Sequence, residues 1–154
     1  MKKLSTLGLS LLALATWVAA PHLAFAHCQV PCGIYDDAAR IAQLREDTTT
    51  ILKADANIAE LSGKADAQSM NQLVRWIETK EMHASNIITV VSEYFLTQKV
   101  KPVAAGAEGY DTYLATLADH HAVMTAAMKA KQSASADAAN HLKDAIDALA
   151  KRYP

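Results

Sequence analysis

The segment DDAARIAQLREDTTTILKADANIAELSG, residues 36–63, shows the pattern on which the fold depends. A mostly apolar stripe recurs in it every three or four residues, which is the period of one face of an α-helix. The stripe consists of Ile41, Leu44, Thr48, Ile51, Leu52, Asp55 and Ile58. Asp36 and Asp37 favour a helix start, because acids stabilise the positive end of the helix dipole, and Ser62-Gly63 ends the run. The segment therefore predicts a long amphipathic helix.

Three further segments with the same period follow, and few glycines or prolines interrupt them. We expect a second helix over residues 65–99, the longest of the four, which ends before Pro102. Residues 110–128 predict a third helix and residues 138–153 a fourth, and no segment alternates as a strand would. Four amphipathic helices joined by short loops fold most simply as an antiparallel, up-down-up-down four-helix bundle. The predicted fold class is therefore all-α.

The first 26 residues are typical of a targeting segment. Met1-Lys2-Lys3 is basic, residues 4–20 are mostly apolar, and Ala24-Phe25-Ala26 offers small residues where a signal peptidase cuts. The alternative is a retained membrane anchor, but the apolar run is short for a bilayer and lacks a basic stop-transfer flank. We therefore expect a signal peptide over residues 1–26 that is cleaved before His27. The mature protein would then be periplasmic or secreted and free of the membrane.

The expected mature chain, residues 27–154, is long enough for one domain with a modest core. Its many alanines allow close helix approach but bury little area each, so oligomerisation would add useful burial. Cleavage removes Lys2 and Lys3 and no acid, which changes the formal charge from -1 to -3. Nucleic acid is not an expected partner, since binding to it usually needs a clear basic excess.

Residues 27–35, His-Cys-Gln-Val-Pro-Cys-Gly-Ile-Tyr, follow the expected cut directly and contain both cysteines of the chain. With His27 as the new N-terminus, its amine and the backbone nitrogen and sulfur of Cys28 can form two fused chelate rings around one metal. Cys32 can supply a fourth donor, and the His27 imidazole can approach axially. A planar set of nitrogen and thiolate donors favours nickel(II) or copper(II) over zinc, which prefers a tetrahedron. The sequence therefore predicts an N-terminal metal-binding hook, followed by the bundle over residues 36–154.

Two other interpretations of the cysteine pair stay open. One is an exported nickel or copper carrier without catalysis, and the other is a thiol–disulfide protein. A bridge between Cys28 and Cys32 would close only a tiny loop and would stabilise a helical domain little.

The bundle sequence itself offers no competing metal motif. The paired Glu-x-x-His of a di-iron centre and the Cys-x-x-Cys-His of covalent haem are both missing. No His-x-x-x-His pair occurs either. We therefore expect the helical histidines to be ordinary surface or partly buried side chains. They are His83, His120, His121 and His141.

The motif His-Cys-x-x-Pro-Cys-Gly-x-Tyr-Asp at a processed N-terminus resembles the nickel superoxide dismutases. The segment Ser92-Glu93-Tyr94-Phe95 is similar to that family's Ser-acid-Tyr-Phe segment on the second helix. The resemblance implies a nickel cofactor whose ligands come from His27, Cys28 and Cys32. It also implies that Tyr35 and Tyr94 line the approach of superoxide, exclude larger anions and hold water or peroxide near the metal.

By the same resemblance, superoxide is converted to dioxygen and hydrogen peroxide while nickel alternates between its 3+ and 2+ states. The family's members are hexamers, so a homohexamer is expected. Nickel would have to reach the hook soon after cleavage or before export, and a delivery or maturation factor is an expected partner. Lys99 and Lys101 are candidates to attract the anion, although they could simply end a solvated helix.

The sequence departs from the family in one respect. In the family a glutamate paired with an arginine orients the axial imidazole, but the corresponding positions here hold Ala42 or Gln43 and Thr79. Glu46 and Arg75 are the candidates to replace that pair. Because such outer partners orient metal ligands, the axial bond and the redox potential are expected to differ from those of other members.

Overall fold

Four long helices account for most of residues 36–154, which are the residues that this computed structural model describes. They are α1 (Asp37–Leu61), α2 (Ala67–Thr89), α3 (Tyr110–Gln132) and α4 (Ala136–Ala150). A π-helical segment, Val90–Lys99, continues α2. No strand occurs within the described range, so the predicted all-α class is confirmed. The expected signal peptide (1–26) and hook (27–35) lie outside the described residues.

Side chains at the helix starts explain why the helices begin where they do. The carboxylates of Asp36 and Asp66 accept the backbone N–H three residues later, at 2.8 and 2.9 Å. The hydroxyl of Ser135 accepts at 3.2 Å from the N–H two residues on. Gly109 precedes α3 with φ of 83°, in the left-handed region that favours glycine. The starts predicted for the first two helices are therefore correct.

Contacts between the helices follow an antiparallel, up-down-up-down order. Each helix packs on its neighbours in sequence, and α1 also packs on α4, which closes the ring. Two side-chain hydrogen bonds join α1 to the second helix. Asp37 and Asp47 follow each other along α1, whereas their partners Tyr94 and His83 occur in the reverse order along the second helix, so the two helices are antiparallel. The predicted bundle is therefore confirmed for residues 36–154. None of the helices in this range is long and apolar enough to cross a membrane.

The core is built from the predicted stripes. All of the α1 stripe positions are buried except Leu52, which is partly buried against the core. Small side chains at Ala126, Ala127, Ala130 and Ala139 are also fully enclosed, so the alanines do let the helices approach closely. The largest fully buried side chains are Phe95, Leu44, Ile51, Ile87, Leu142, Ile146, Leu149, His120, Val91 and Val123.

Two buried carboxylates on α1 have opposite surroundings. Asp47 accepts hydrogen bonds from His83 Nδ1 at 2.6 Å and from Asn86 Nδ2 at 2.7 Å. Asp55 is 2% exposed, and neither of its carboxylate oxygens has a hydrogen-bond partner among the described residues. Burial raises the pKa of the Asp55 carboxyl, and the nearby charge of Lys80 opposes this rise. A desolvated carboxylate without hydrogen bonds costs more free energy than one that accepts them.

Replacing Asp55→Asn should therefore stabilise the protein near neutral pH, by on the order of 1 kcal/mol. The unfolded chain ionises at this position at lower pH than the folded chain, so the native state loses stability as the pH rises through the folded pKa. The gain should be largest at pH 7 and should shrink as the pH falls towards 3.8, the unperturbed value. Urea unfolding of the wild-type protein and the variant at pH 7 and near pH 4 measures this difference in unfolding free energy.

Asp47→Asn is the matched control, since it makes the same chemical change two turns away on the same helix. It weakens the bonds from His83 and Asn86 and should lower the free energy of unfolding by roughly 1–3 kcal/mol. Equal effects of the two substitutions at pH 7 would contradict this account of Asp55.

Candidate functional site

The last part of the second helix winds as a π-helix, and this segment carries Tyr94. The N–H of Val100 donates to the carbonyl of Phe95, five residues back, at 2.9 Å. Side chains of Thr97 and Gln98 likewise donate to carbonyls five residues before them. A five-residue bond widens the turn and changes which way the following side chains point. π-Helical segments are rare in proteins, and those that occur are often found at functional sites. This end of the bundle is therefore a candidate site.

Tyr94 lies in a small group of charged and polar side chains that joins the start of α1 to the end of the π-helical segment. Its hydroxyl donates to Asp37 Oδ1 at 2.8 Å, and Lys99 Nζ lies 3.0 Å from Asp37 Oδ2. The guanidinium carbon of Arg40 is 5.5 Å from the centre of the Tyr94 ring. We call Asp37, Arg40, Tyr94 and Lys99 the Asp37 cluster.

The surroundings of Tyr94 keep its hydroxyl protonated. The side chain is 5% exposed. Burial raises the pKa of Tyr94 well above its ordinary value of 10.0, and the hydrogen bond to Asp37 and the charge of that carboxylate raise it further. The positive charge of Arg40 opposes these effects but does not cancel them. Tyr94 is therefore a neutral phenol throughout the physiological pH range.

Behind the Asp37 cluster lies an aromatic layer around Phe95. The Phe95 ring meets the Tyr94 ring edge-on at 5.0 Å and the Tyr153 ring at 4.5 Å. Tyr153 also contacts His120, whose Nε2 lies 2.8 Å from its hydroxyl. Through these contacts, residues at the end of α4 support the segment that carries Tyr94.

His120 differs from its expected surface or partly buried setting, because it is completely buried. Its Nδ1 lies 2.7 Å from the carbonyl of Thr116. A carbonyl only accepts, so Nδ1 carries the proton and Nε2 accepts from the hydroxyl of Tyr153. Burial lowers the pKa of His120 and so favours this neutral form. Burial, with the charge of Asp37, raises the pKa of Tyr153 to about 12, while Arg152 opposes the rise.

A surface cleft of about 620 Å³ opens beside Lys99 and Tyr153. Within the described chain, no acidic side chain lines it, and its four charged lining residues are all cations. They are Lys99, Lys101, Lys151 and Arg152. Two of these cations form ion pairs with acids that do not line the cleft: Lys99 lies 3.0 Å from Asp37, and Arg152 lies 2.5 Å from Asp119. Lys99 and Lys101, the predicted anion-attracting residues, thus share one open cleft.

Of the three predicted metal ligands and the two predicted tyrosines, the structure describes Tyr94 alone, and His27, Cys28, Cys32 and Tyr35 fall outside the described residues. Over residues 36–154, no three His, Cys, Asp or Glu side chains gather in a way that could hold a metal.

Glu46 and Arg75, the candidates to replace the missing glutamate–arginine pair, would act on the His27 imidazole, which lies outside the described residues, so their role stays a prediction. Arg75 precedes Tyr94 by nineteen residues on the second helix, which is roughly 28 Å of helix length. Glu46 is exposed on α1, nine residues beyond Asp37. The arginine beside the Tyr94 ring is Arg40, which also donates to Gln43 Oε1 at 2.8 Å. One sequence signal could have identified it, since Asp37 and Arg40 are spaced three apart on one helix face directly after the hook.

Comparison with known families decides what kind of protein this is. A family model for nickel-containing superoxide dismutase matches residues 22–154, which include the hook motif and all four helices. The chain belongs to the nickel-containing superoxide dismutase family. Searches of curated proteins and of solved structures returned no significant match. The protein is thus an oxidoreductase that acts on superoxide and uses nickel.

Removing one hydroxyl tests the support behind Tyr94 in this dismutase. Tyr153→Phe deletes the donor to His120 Nε2 and leaves a buried acceptor without a partner, so we expect a loss of about 1–3 kcal/mol in unfolding free energy. Tyr113→Phe is the matched control, because that ring is half-buried and its hydroxyl makes no hydrogen bond among residues 36–154. Its effect should stay within about 0.5 kcal/mol. Equal losses in the two variants would refute the hydrogen bond between Tyr153 and His120.

Proposed function

We propose that this dismutase holds its nickel at the processed N-terminus, through the hook over residues 27–35. The ligands would be the amine and imidazole of His27, the backbone nitrogen and sulfur of Cys28, and the sulfur of Cys32. The observation that carries the proposal is the family match, which spans this motif. Two further facts support it: the hook contains both cysteines of the chain, and the described part of the bundle has no alternative metal cluster.

The donor set fits nickel. Two thiolates and two nitrogens can surround Ni²⁺ in the tetragonal arrangement that this ion accepts more readily than zinc does. Anionic thiolates and a deprotonated amide also favour a higher oxidation state. When bound, nickel would supply one-electron exchange between the 3+ and 2+ states: one superoxide is oxidised to dioxygen, and a second is reduced and takes two protons to give hydrogen peroxide.

The chain's own side chains would control what reaches the hook. Tyr35 and Tyr94 are proposed to line the approach and to exclude larger anions. Tyr94 suits this role, because it is buried, held by a hydrogen bond and neutral. The cations of the cleft, Lys99 and Lys101 among them, would raise the local concentration of the superoxide anion.

Assembly and location also belong to the proposal. We infer a homohexamer, supported by large apolar side chains that remain exposed on one helix. These are Met70, Val74, Ile77 and Met82, all on α2. The leader would direct export to the periplasm or the medium, and a delivery or maturation factor would supply nickel to the new N-terminus.

The decisive experiment compares protein that begins at His27 with protein that carries one additional alanine before it. The extra residue converts the His27 amine into an amide, so nickel content and superoxide removal should both fall to background. Helicity measured by circular dichroism should not change. Cys28→Ser and Cys32→Ser should behave like the extended protein. His141→Gln, an exposed histidine on α4, is the control that should keep full activity.

Full nickel-dependent activity in the extended protein would refute the proposed ligand set. Tightly bound copper without superoxide removal would support the carrier instead. Metal-free protein with an oxidised cysteine pair would support the thiol–disulfide alternative.

A further inference from the structure

The hydroxyl proton of Tyr94 is already in use. A phenol has one proton to donate and otherwise only lone pairs that accept. That proton points to Asp37 Oδ1, and the two oxygens are 2.8 Å apart. Any other molecule that reaches the Tyr94 oxygen therefore meets an acceptor.

Three features hold Asp37 in place as the partner of Tyr94. Its second oxygen, Oδ2, lies 3.0 Å from Lys99 Nζ, so the two oxygens serve different partners. The residue is the first of α1, where the helix dipole favours a negative side chain. Both members of the ion pair are only about a quarter exposed, at 25% for Asp37 and 27% for Lys99. A charge-assisted bond in this setting is stronger than one between neutral groups.

We propose that Asp37 is a positioning residue that fixes Tyr94 as a hydrogen-bond acceptor in the dismutase. In that state Tyr94 gives no proton and no hydrogen bond to an approaching anion, and it accepts from small neutral donors, water and hydrogen peroxide. The inference rests on the proposed function, because it assigns Tyr94 a role at the approach to the hook. It also changes that role: Tyr94 favours the protonated product over the anionic substrate, and the protons for peroxide come from another source.

Charge in the cluster supports the same assignment. Asp36 and Asp37 carry two negative charges against the two positive charges of Arg40 and Lys99. These four side chains therefore leave no net positive charge beside the Tyr94 phenol. The cations that surround the cleft therefore attract the anion, and Tyr94 orients neutral molecules.

The test observes Tyr94 itself, in protein with and without nickel. Raman spectra of the tyrosine Fermi doublet distinguish a phenol that donates from one that accepts, and subtracting the Tyr94→Phe spectrum isolates this side chain. We expect a strong donor signature at neutral pH. Asp37→Ala should abolish it, and Asp37→Glu should restore it at least in part.

Titration of tyrosines labelled at Cζ, followed by NMR, is the second measurement. Asp37→Asn removes the charge and weakens the hydrogen bond, so the pKa of Tyr94 should move down towards its ordinary value. Asp36→Asn is the matched control, because the charge of Asp36 also raises the pKa of Tyr94 but contributes less than Asp37, which in addition accepts the Tyr94 hydrogen bond. Asparagine is also an equally good helix cap at that position. Its shift should be clearly smaller.

The outcomes separate this inference from the proposed function. A donor signature unchanged in Asp37→Ala, or equal titration shifts in the two asparagine variants, would overturn the inference whatever the activity. Failure of the hook experiment would overturn the nickel ligand set and leave these spectra unchanged. If both hold, Asp37→Asn should retain its nickel and lose activity to the same degree as Tyr94→Phe.

Discussion

Polar side chains on α1 must meet their partners on α2 and on the π-helical segment at matching positions along the helix axes, and this constraint sets the register of the two helices on which the candidate site is built. Asp37 pairs with Tyr94 and Asp47 with His83, so ten residues of one helix match eleven of the other. Ten residues of α-helix rise about 15 Å, and eleven rise about 16.5 Å. Sliding either helix by one turn would leave two carboxylates without donors in poorly hydrated surroundings. The apolar stripes supply most of the burial but tolerate such sliding better, because apolar contacts have little direction.

The π-helical turns determine how Tyr94 reaches Asp37. Where the backbone bonds to the fifth residue instead of the fourth, the helix takes in extra residues without losing its backbone hydrogen bonds. Tyr94 and Phe95, neighbours in sequence, then serve different purposes: Phe95 fills the core, and Tyr94 reaches Asp37. A regular α-helix would direct this pair differently. The irregular turns therefore fit a polar contact to a core that is otherwise packed by simple periodicity.

Sequence patterns were sufficient for the fold and for the class of chemistry. Three-to-four spacing located the helices, and it placed Thr48 and Asp55 correctly on the buried side although both are polar. The hook was recognisable because its donors are adjacent in the chain and need no folding argument. The π-helical turns were not predictable, since nothing in the composition of residues 90–99 distinguishes a five-residue bond from a four-residue one.

The Asp37 cluster and the buried His120 escaped prediction for another reason. Each depends on a partner more than thirty residues away, Tyr94 for Asp37 and Tyr153 for His120. Spacing along one helix contains no information about such a partner. Glu46 and Arg75 match the family's charges in type, and their role as partners of the His27 imidazole stays a prediction, because His27 lies outside the described residues.

The contact between Tyr153 and His120 has a consequence for the order of folding. His120 is in the third helix, yet its buried Nε2 is satisfied only by a residue that follows the fourth. Until α4 has been synthesised and docked, enclosing His120 would leave that nitrogen unbonded, which is unfavourable. The first three helices therefore lack a complete core of their own, and cooperative closure waits for the last helix. Under the proposed export, such a delay would keep the chain in a form that can be threaded through a channel.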